Sequence, residues 1–171
     1  TSGTTYLYAQ WNSASVKLPT ATLPGYTFLG WYDAATGGHK IGGAGDSYTP
    51  TAAKTLYAHW SANAITVKFS GNGATSGSMT DQVFTYDTAQ ALRANGFTRA
   101  YTVTYNGNFS GKTPTLGATS QTATYTFKNW NNAAAGNGSY TYTNGQTVTN
   151  PNGATSGTTY LYAQWNSASV K

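Results

Sequence analysis

The first and last 17 residues of this 171-residue chain are identical. Residues 1–17 and residues 155–171 both read TSGTTYLYAQWNSASVK. An identity of this length does not arise by chance, so the chain holds one full period of a tandem array plus an overlap. Self-similarity of this kind decides the architecture: small units follow one another along the chain, and each recurs in the next copy.

Two shorter motifs recur inside the period. YTFLGW at Tyr26–Trp31 returns as YTFKNW at Tyr125–Trp130, and LYAHW at Leu56–Trp60 returns as LYAQW at Leu161–Trp165. Each LYAxW string ends a module, and the string also stands at Leu7–Trp11. We therefore divide the chain into the closing strand of a preceding repeat (1–11), a compact module (12–60), an enlarged module (61–165) and the start of the next repeat (166–171).

Local patterns predict mostly strands and one helix. Ile65, Val67 and Phe69 alternate with polar residues, which is the period of a half-buried strand. Tyr101, Val103 and Tyr105 alternate with threonines in the same way, and Asn106–Gly107 predicts the tip of an extra hairpin. A short helix is predicted over residues 88–94, capped by Asp87 and ended by Asn95–Gly96.

The aromatic residues of the recurring motifs are the predicted core. A fully buried Trp or Leu contributes about 2–3 kcal/mol, which is a large share of the stability of a module this small. Recurrence at the same place in each module favours packing over ligand binding. The predicted core anchors are Trp11, Trp31, Trp60, Trp130, Trp165, Phe28, Phe127, Leu56 and Leu161.

The motifs resemble those of a known family. The run LPGYTFLGWYDAATGG, continued by GDSYTPTAAKTLYAHW, resembles the Listeria–Bacteroides repeats of internalin-like bacterial surface proteins, and ITVKFSGNGATSGSMTDQVFTYDTAQALRANGF resembles the opening half of the same unit. The resemblance implies a small β-grasp-type module strung in arrays on secreted or wall-anchored proteins. The expected fold is mainly β with one short helix: two tandem β-grasp-like modules, the second enlarged by an inserted hairpin.

Composition weighs against an enzyme, because the chain has few groups that can do acid–base chemistry. It contains four carboxylates, two histidines and no cysteine. General acid–base and metal chemistry converges several such groups in one pocket, whereas here they are scattered among Thr, Gly and Asn. We therefore expect no catalytic residue, no metal and no cofactor. The net charge of +5 comes from few acids rather than from clustered bases, so no nucleic-acid partner is predicted.

The predicted function is that of a non-catalytic repeat of a bacterial cell-surface protein. It would act as a stalk, spacer or filament segment of an adhesin, outside the cell, with neighbouring copies as its partners and no insertion into a membrane. The alternative is a binding module for a host protein or a glycan, which would use an exposed strand edge or surface aromatics. The tyrosines that the repeats do not require are the candidates to face a ligand: Tyr101, Tyr140 and Tyr142.

Overall fold

A computed structural model describes residues 6–168 and divides this part of the chain after Ser61 into two compact units. Unit 1 is residues 6–61 and unit 2 is residues 62–168. Residues 1–5, from the predicted closing strand of a preceding repeat, and residues 169–171, from the predicted start of the next one, lie outside the described residues. No helix among residues 6–168 has the length and apolar character needed to cross a membrane.

Unit 1 is built from two small antiparallel sheets. In the first, β1 pairs with β4, and Val16 lies opposite Tyr48. In the second, β2 is the central strand, with β3 on one side and β5 on the other. The strands are β1 (Val16–Lys17), β2 (Tyr26–Tyr32), β3 (Lys40–Gly42), β4 (Ser47–Tyr48) and β5 (Tyr57–Ala62).

Unit 2 is built around one mixed sheet of seven strands. Its order is β7-β10-β11-β14-β6-β8, with β12 paired to one end of β11, and a separate pair joins β13 to β9. The strands are β6 (Ala64–Ser70), β7 (Ser76–Gly77), β8 (Gln82–Thr85), β9 (Gln90–Ala91), β10 (Phe97–Thr104), β11 (Ser120–Asn131), β12 (Thr141–Tyr142), β13 (Thr147–Val148) and β14 (Gly157–Asn166), and a 3-10 turn covers Pro151–Gly153.

The last strand, β14, lies in the middle of this sheet. It runs antiparallel to β11 and parallel to β6, with Leu161 opposite Phe69 on β6 and Ala163 opposite Trp130 on β11. The period-two pattern predicted for β6 is confirmed, because Ile65 and Val67 are buried and Lys68 is exposed. The core of unit 2 lies on this face of the sheet and contains Ile65, Val67, Phe84, Leu92, Trp130, Tyr142, Val148, Leu161 and Ala163.

The structure is mainly β, as predicted, but the predicted helix over 88–94 is wrong. Asp87 has φ 57°, in the left-handed region, whereas a helix N-cap needs an extended backbone. Gln90 and Ala91 instead form β9 opposite Val148 and Thr147. The buried Gln82 side chain holds this segment extended. Its Nε2 donates to the Ala91 carbonyl at 2.8 Å, and its Oε1 accepts from the Arg93 backbone N–H at 2.8 Å. The seven residues 88–94 are too few to form a stable helix against such pairing.

The inserted hairpin is present and forms an arm, residues 97–126, made of β10, β11 and their connecting loop. The strands pair from Arg99, opposite Tyr125, to Thr104, opposite Ser120. The position of the tip differs from the prediction. Asn106–Gly107 stands at the beginning of a long loop, where the Asn106 side chain accepts a hydrogen bond from the backbone N–H two residues on. Such an Asx turn starts the loop rather than closing a two-residue turn.

Candidate functional site: the aromatic triads and the junction strand

A phenylalanine between two tryptophans forms the centre of unit 2. The Phe127 ring lies 5.0 Å from the Trp130 ring and 6.0 Å from the Trp165 ring, in tilted and edge-to-face arrangements. Such geometries are the preferred ones for aromatic pairs. Trp130 is fully buried, and its ring also contacts Phe69 at 5.0 Å. Trp165 is half-buried, and its Nε1 donates to the carbonyl of Gly71 at 3.0 Å.

The same triad recurs in unit 1 at the corresponding motif positions. The Phe28 ring lies 5.6 Å from the Trp31 ring and 5.3 Å from the Trp60 ring. All three side chains are half-buried rather than buried, as is Leu56. The Trp31 Nε1 donates to the Pro19 carbonyl at 2.8 Å, which ties the strand to the start of the unit. Unit 1 therefore packs the same three rings with less cover, because its central sheet has three strands instead of seven.

In each unit, the residue before the tryptophan of the LYAxW motif forms a hydrogen bond with the loop that follows the tryptophan of the YTFxxW motif. In unit 1 His59 Nε2 lies 2.9 Å from the carbonyl of Ala34 and must be the donor, since a carbonyl only accepts. In unit 2 the Gln164 Nε2 donates to the carbonyls of Ala133 and Ala134, each at 3.3 Å. The two side chains make the same link at the same place. His59 is thus a structural residue in this geometry, like the glutamine of the other module.

Exchange of His59 for glutamine should therefore be nearly neutral. We expect His59→Gln to change the free energy of unfolding of unit 1 by less than about 1 kcal/mol, because the amide keeps the bond to Ala34 while the stacking of His59 on Tyr32 is lost. Calorimetric melting measures this change. His59→Ala is the comparison: it removes both interactions and should cost more than His59→Gln. Equal losses for the two variants would contradict the shared link.

Comparison with known proteins agrees with these recurring features. Residues 2–59 match the family model of the Listeria–Bacteroides repeat domain. The predicted resemblance to the Listeria–Bacteroides repeats is thereby confirmed for this part of the chain. A stretch of 72 residues, 42% of the chain, is 46% identical to internalin H of Listeria monocytogenes serovar 1/2a and covers 12% of that protein. The chain thus spans only a small part of this relative. No solved structure matches.

The LYAQW motif of the 17-residue repeat occurs in two environments in this chain. Leu161 and Ala163 are fully buried in β14. In the identical segment near the start of the chain, Leu7 is 95% exposed and Trp11 is 90% exposed. Trp11 is therefore exposed within this chain, and its role as a core anchor of a preceding repeat stays a prediction. In β14 this motif pairs with β6 on one side and β11 on the other. Residues 6–15 have no such neighbouring strands in the described chain, and they form no strand themselves.

The tyrosines predicted to face a ligand lie in different settings. Tyr142 differs from the prediction: it is buried, burial raises the pKa of its hydroxyl, and its oxygen accepts from the Asn152 backbone N–H at 2.8 Å. Tyr140 is exposed and stacks on Tyr142 at the rim of a shallow depression of about 440 Å³. Tyr101 is exposed on the arm. For Tyr101 and Tyr140, contact with a ligand stays a prediction.

The ion pairs among residues 6–168 involve two carboxylates, Asp33 and Asp81. Asp33 accepts from the His39 backbone N–H at 2.7 Å, and this bond, assisted by Lys54 at 3.9 Å and the His39 ring, holds the pKa of Asp33 below its usual range. Lys68 pairs with Asp81 at 3.3 Å on the surface of unit 2. Among residues 6–168, no cluster of three His, Asp or Glu side chains is placed to hold a metal ion.

Sequence reasoning missed Arg99. Its guanidinium stacks on the rings of Tyr125, at 4.7 Å, and Tyr101, at 5.7 Å. Its Nε is buried, with no hydrogen-bond partner in the described chain. The available signal was the alternation Arg99–Tyr101–Val103, which places the cation in the same row as two aromatic or apolar side chains. The pairing with Tyr125 on β11 required the strand register.

Proposed function

We propose that this chain is a non-catalytic segment of a longer array on a bacterial cell-surface protein, where it serves as a stalk, spacer or filament segment of an adhesin. One observation carries the proposal: the 17-residue repeat contributes a strand to each unit, by its earlier part in unit 2 and by its last two residues in unit 1. The copy at 155–171 supplies β14, the central strand of unit 2, and the copy at 1–17 supplies β1, which pairs with β4 of unit 1.

In an array, one junction segment would perform both roles. The position equivalent to Asn166, the end of β14, is Asn12, and β1 begins at Val16. Only the three residues 13–15 would then separate the last strand of one copy from the first strand of the next. A connection this short leaves little free chain between copies. Residues 6–12 would accordingly be the central strand of the unit that precedes unit 1, with that copy as the partner.

This arrangement suits a protein selected for reach. When each unit buries its own core, the stability of an array is roughly the sum of unit and nearest-neighbour contributions. The array then grows by copying a period, without any change to the core.

Within the array, unit 2 would be a β-grasp-like module that lacks the helix. The parallel pairing of β6 and β14 in the middle of its sheet supports this description.

The proposed location is the bacterial cell surface, on a secreted or wall-anchored protein. The similarity to internalin H and the family of residues 2–59 support it. The composition agrees, because the chain is polar while only 8% of its residues are charged. The small number of acid–base groups in the sequence, four carboxylates and two histidines, agrees with a non-catalytic role.

Mechanical unfolding of a chain of several periods tests the proposal. We expect a regular sawtooth with two kinds of event, a gain in length of about 16 nm for residues 16–61 of unit 1 and about 36 nm for residues 62–166 of unit 2, at about 3.4 Å per residue at full extension. The event of unit 2 should require the larger force, because that unit has the buried core. A smooth extension without events would contradict a role in bearing load.

A further inference from the structure

One face of the arm continues the core face of unit 2 beyond the core. Phe97 on β10 and Phe127 on β11 pack against the core. The next residues on the same face of the two strands are Arg99 and Tyr125, which lie opposite each other. We define the arm face by these two residues and three more that follow along β10 and just beyond its end: Arg99, Tyr125, Tyr101, Val103 and Tyr105.

The arm face is uncovered in unit 2. Tyr101 is 46%, Val103 52% and Tyr105 43% exposed. A two-stranded ribbon covers little of its own surface and is marginally stable by itself. The side chains of the arm face are therefore available to a partner. Contacts within the face hold these side chains in place. Tyr101 packs edge-on against Tyr125 at 5.8 Å, and the Tyr105 hydroxyl donates to the Gln121 Oε1 at 2.9 Å.

The charge of this region specifies the kind of partner. From Thr88 to Lys171 the sequence contains five cations and no carboxylate side chain. Arg99 therefore has no acidic neighbour along its own strand or the strand beside it, and among residues 6–168 its guanidinium forms no ion pair. Lys112 lies at the other end of the arm, in a depression of about 610 Å³ that Tyr105 also lines. Self-association through this face would bring like charges together.

We propose that the arm face binds an acidic glycan, a sugar chain with carboxylate groups. The aromatic faces of Tyr101 and Tyr105 suit the C–H face of a sugar ring, and the guanidinium of Arg99 suits a carboxylate. The seven residues from Arg99 to Tyr105 extend about 20 Å along the strand, so the ligand is an oligosaccharide rather than a single sugar. This binding activity is independent of the proposed spacer function and would add to it.

Titration calorimetry of the whole chain with a hyaluronan oligosaccharide, which carries a carboxylate on every second sugar, tests the proposal. We expect binding that is absent with a chitin oligosaccharide of equal length, which lacks the carboxylates. Arg99→Gln should weaken binding about tenfold or more, because a charge-assisted hydrogen bond is lost. Tyr101→Ser, an exposed position, tests the ring contact if Arg99→Gln perturbs folding, and it should weaken binding several-fold.

Lys128→Gln is the matched control, because it removes the same charge from an exposed residue outside the arm face. It should weaken binding less than about twofold, as expected for a distant surface charge at physiological salt. Polyglutamate tests whether charge alone, or strand addition by an acidic peptide, accounts for binding. The proposal is overturned if hyaluronan does not bind, if chitin or polyglutamate binds as tightly, or if Lys128→Gln is as damaging as Arg99→Gln.

Discussion

Replacing Trp130 by alanine should lower the free energy of unfolding of unit 2 by about 3–5 kcal/mol, the largest effect that we expect from a single substitution in this chain. Trp130 is fully buried at the centre of the unit and contacts Phe69, Phe97 and Phe127. Its Nε1 has no hydrogen-bond partner in the described chain, so the loss comes from packing and from the cavity left behind. Thermal or urea unfolding followed by circular dichroism measures the change.

The matched control is Trp11→Ala, the same substitution at a residue that is 90% exposed. It should change the free energy of unfolding by no more than about 0.5 kcal/mol, as for other surface substitutions. Trp130→Phe should lie between the two, because it keeps part of the ring volume. Similar losses for Trp11→Ala and Trp130→Ala would show that the two tryptophans contribute equally to the free energy of unfolding, and the assignment of the core would then be wrong.

The second prediction compares two leucines with identical sequence neighbours. Leu161→Ala should destabilise unit 2 by about 2–5 kcal/mol, because the side chain is fully buried and its strand, β14, lies between β6 and β11. Leu7→Ala, in the same 17-residue sequence, should have almost no effect on this chain, since Leu7 is 95% exposed. Urea unfolding of the two variants measures the difference.

Because the local sequence is the same, propensity cannot explain a difference between the two leucine variants. A difference has to come from the neighbouring strands. If both substitutions are neutral, β14 is not the central strand of unit 2. If both are destabilising by several kcal/mol, the segment near the start of the chain is packed within this chain, and the structural basis for the array would be lost.

The features that the sequence predicted well are those set by local alternation and recurrence. Ile65 and Val67 had to share a buried face, because the strand period is two. The recurrence of YTFxxW and LYAxW likewise indicated rings that pack together, and Phe28 and Phe127 each lie between two tryptophans. The same comparison explains why His59 and Gln164 replace each other, since both donate to the loop after the first tryptophan.

The features that the sequence predicted badly depend on contacts between segments that are distant in the sequence. The helix expected after Asp87 gave way to β9, because Val148 and the Gln82 side chain offered better partners than a short helix provides. Burial of Trp11 requires two adjacent strands that its motif does not contain, so the motif alone does not determine whether this tryptophan is covered. Arg99 was missed because its neighbour Tyr125 lies 26 positions away in sequence and becomes visible only with the strand register.

Amide hydrogen exchange of the junction segment tests the central claim most directly. In the chain as it stands, segmental isotope labelling should show the amides of Leu161–Trp165 strongly protected and those of Leu7–Trp11 exchanging at nearly the rate of an unfolded chain. When one further period is fused ahead of residue 1, the Leu7–Trp11 amides should become as protected as those of Leu161–Trp165. Rapid exchange at Leu7–Trp11 in the longer chain would contradict the claim that this segment is the central strand of the preceding copy.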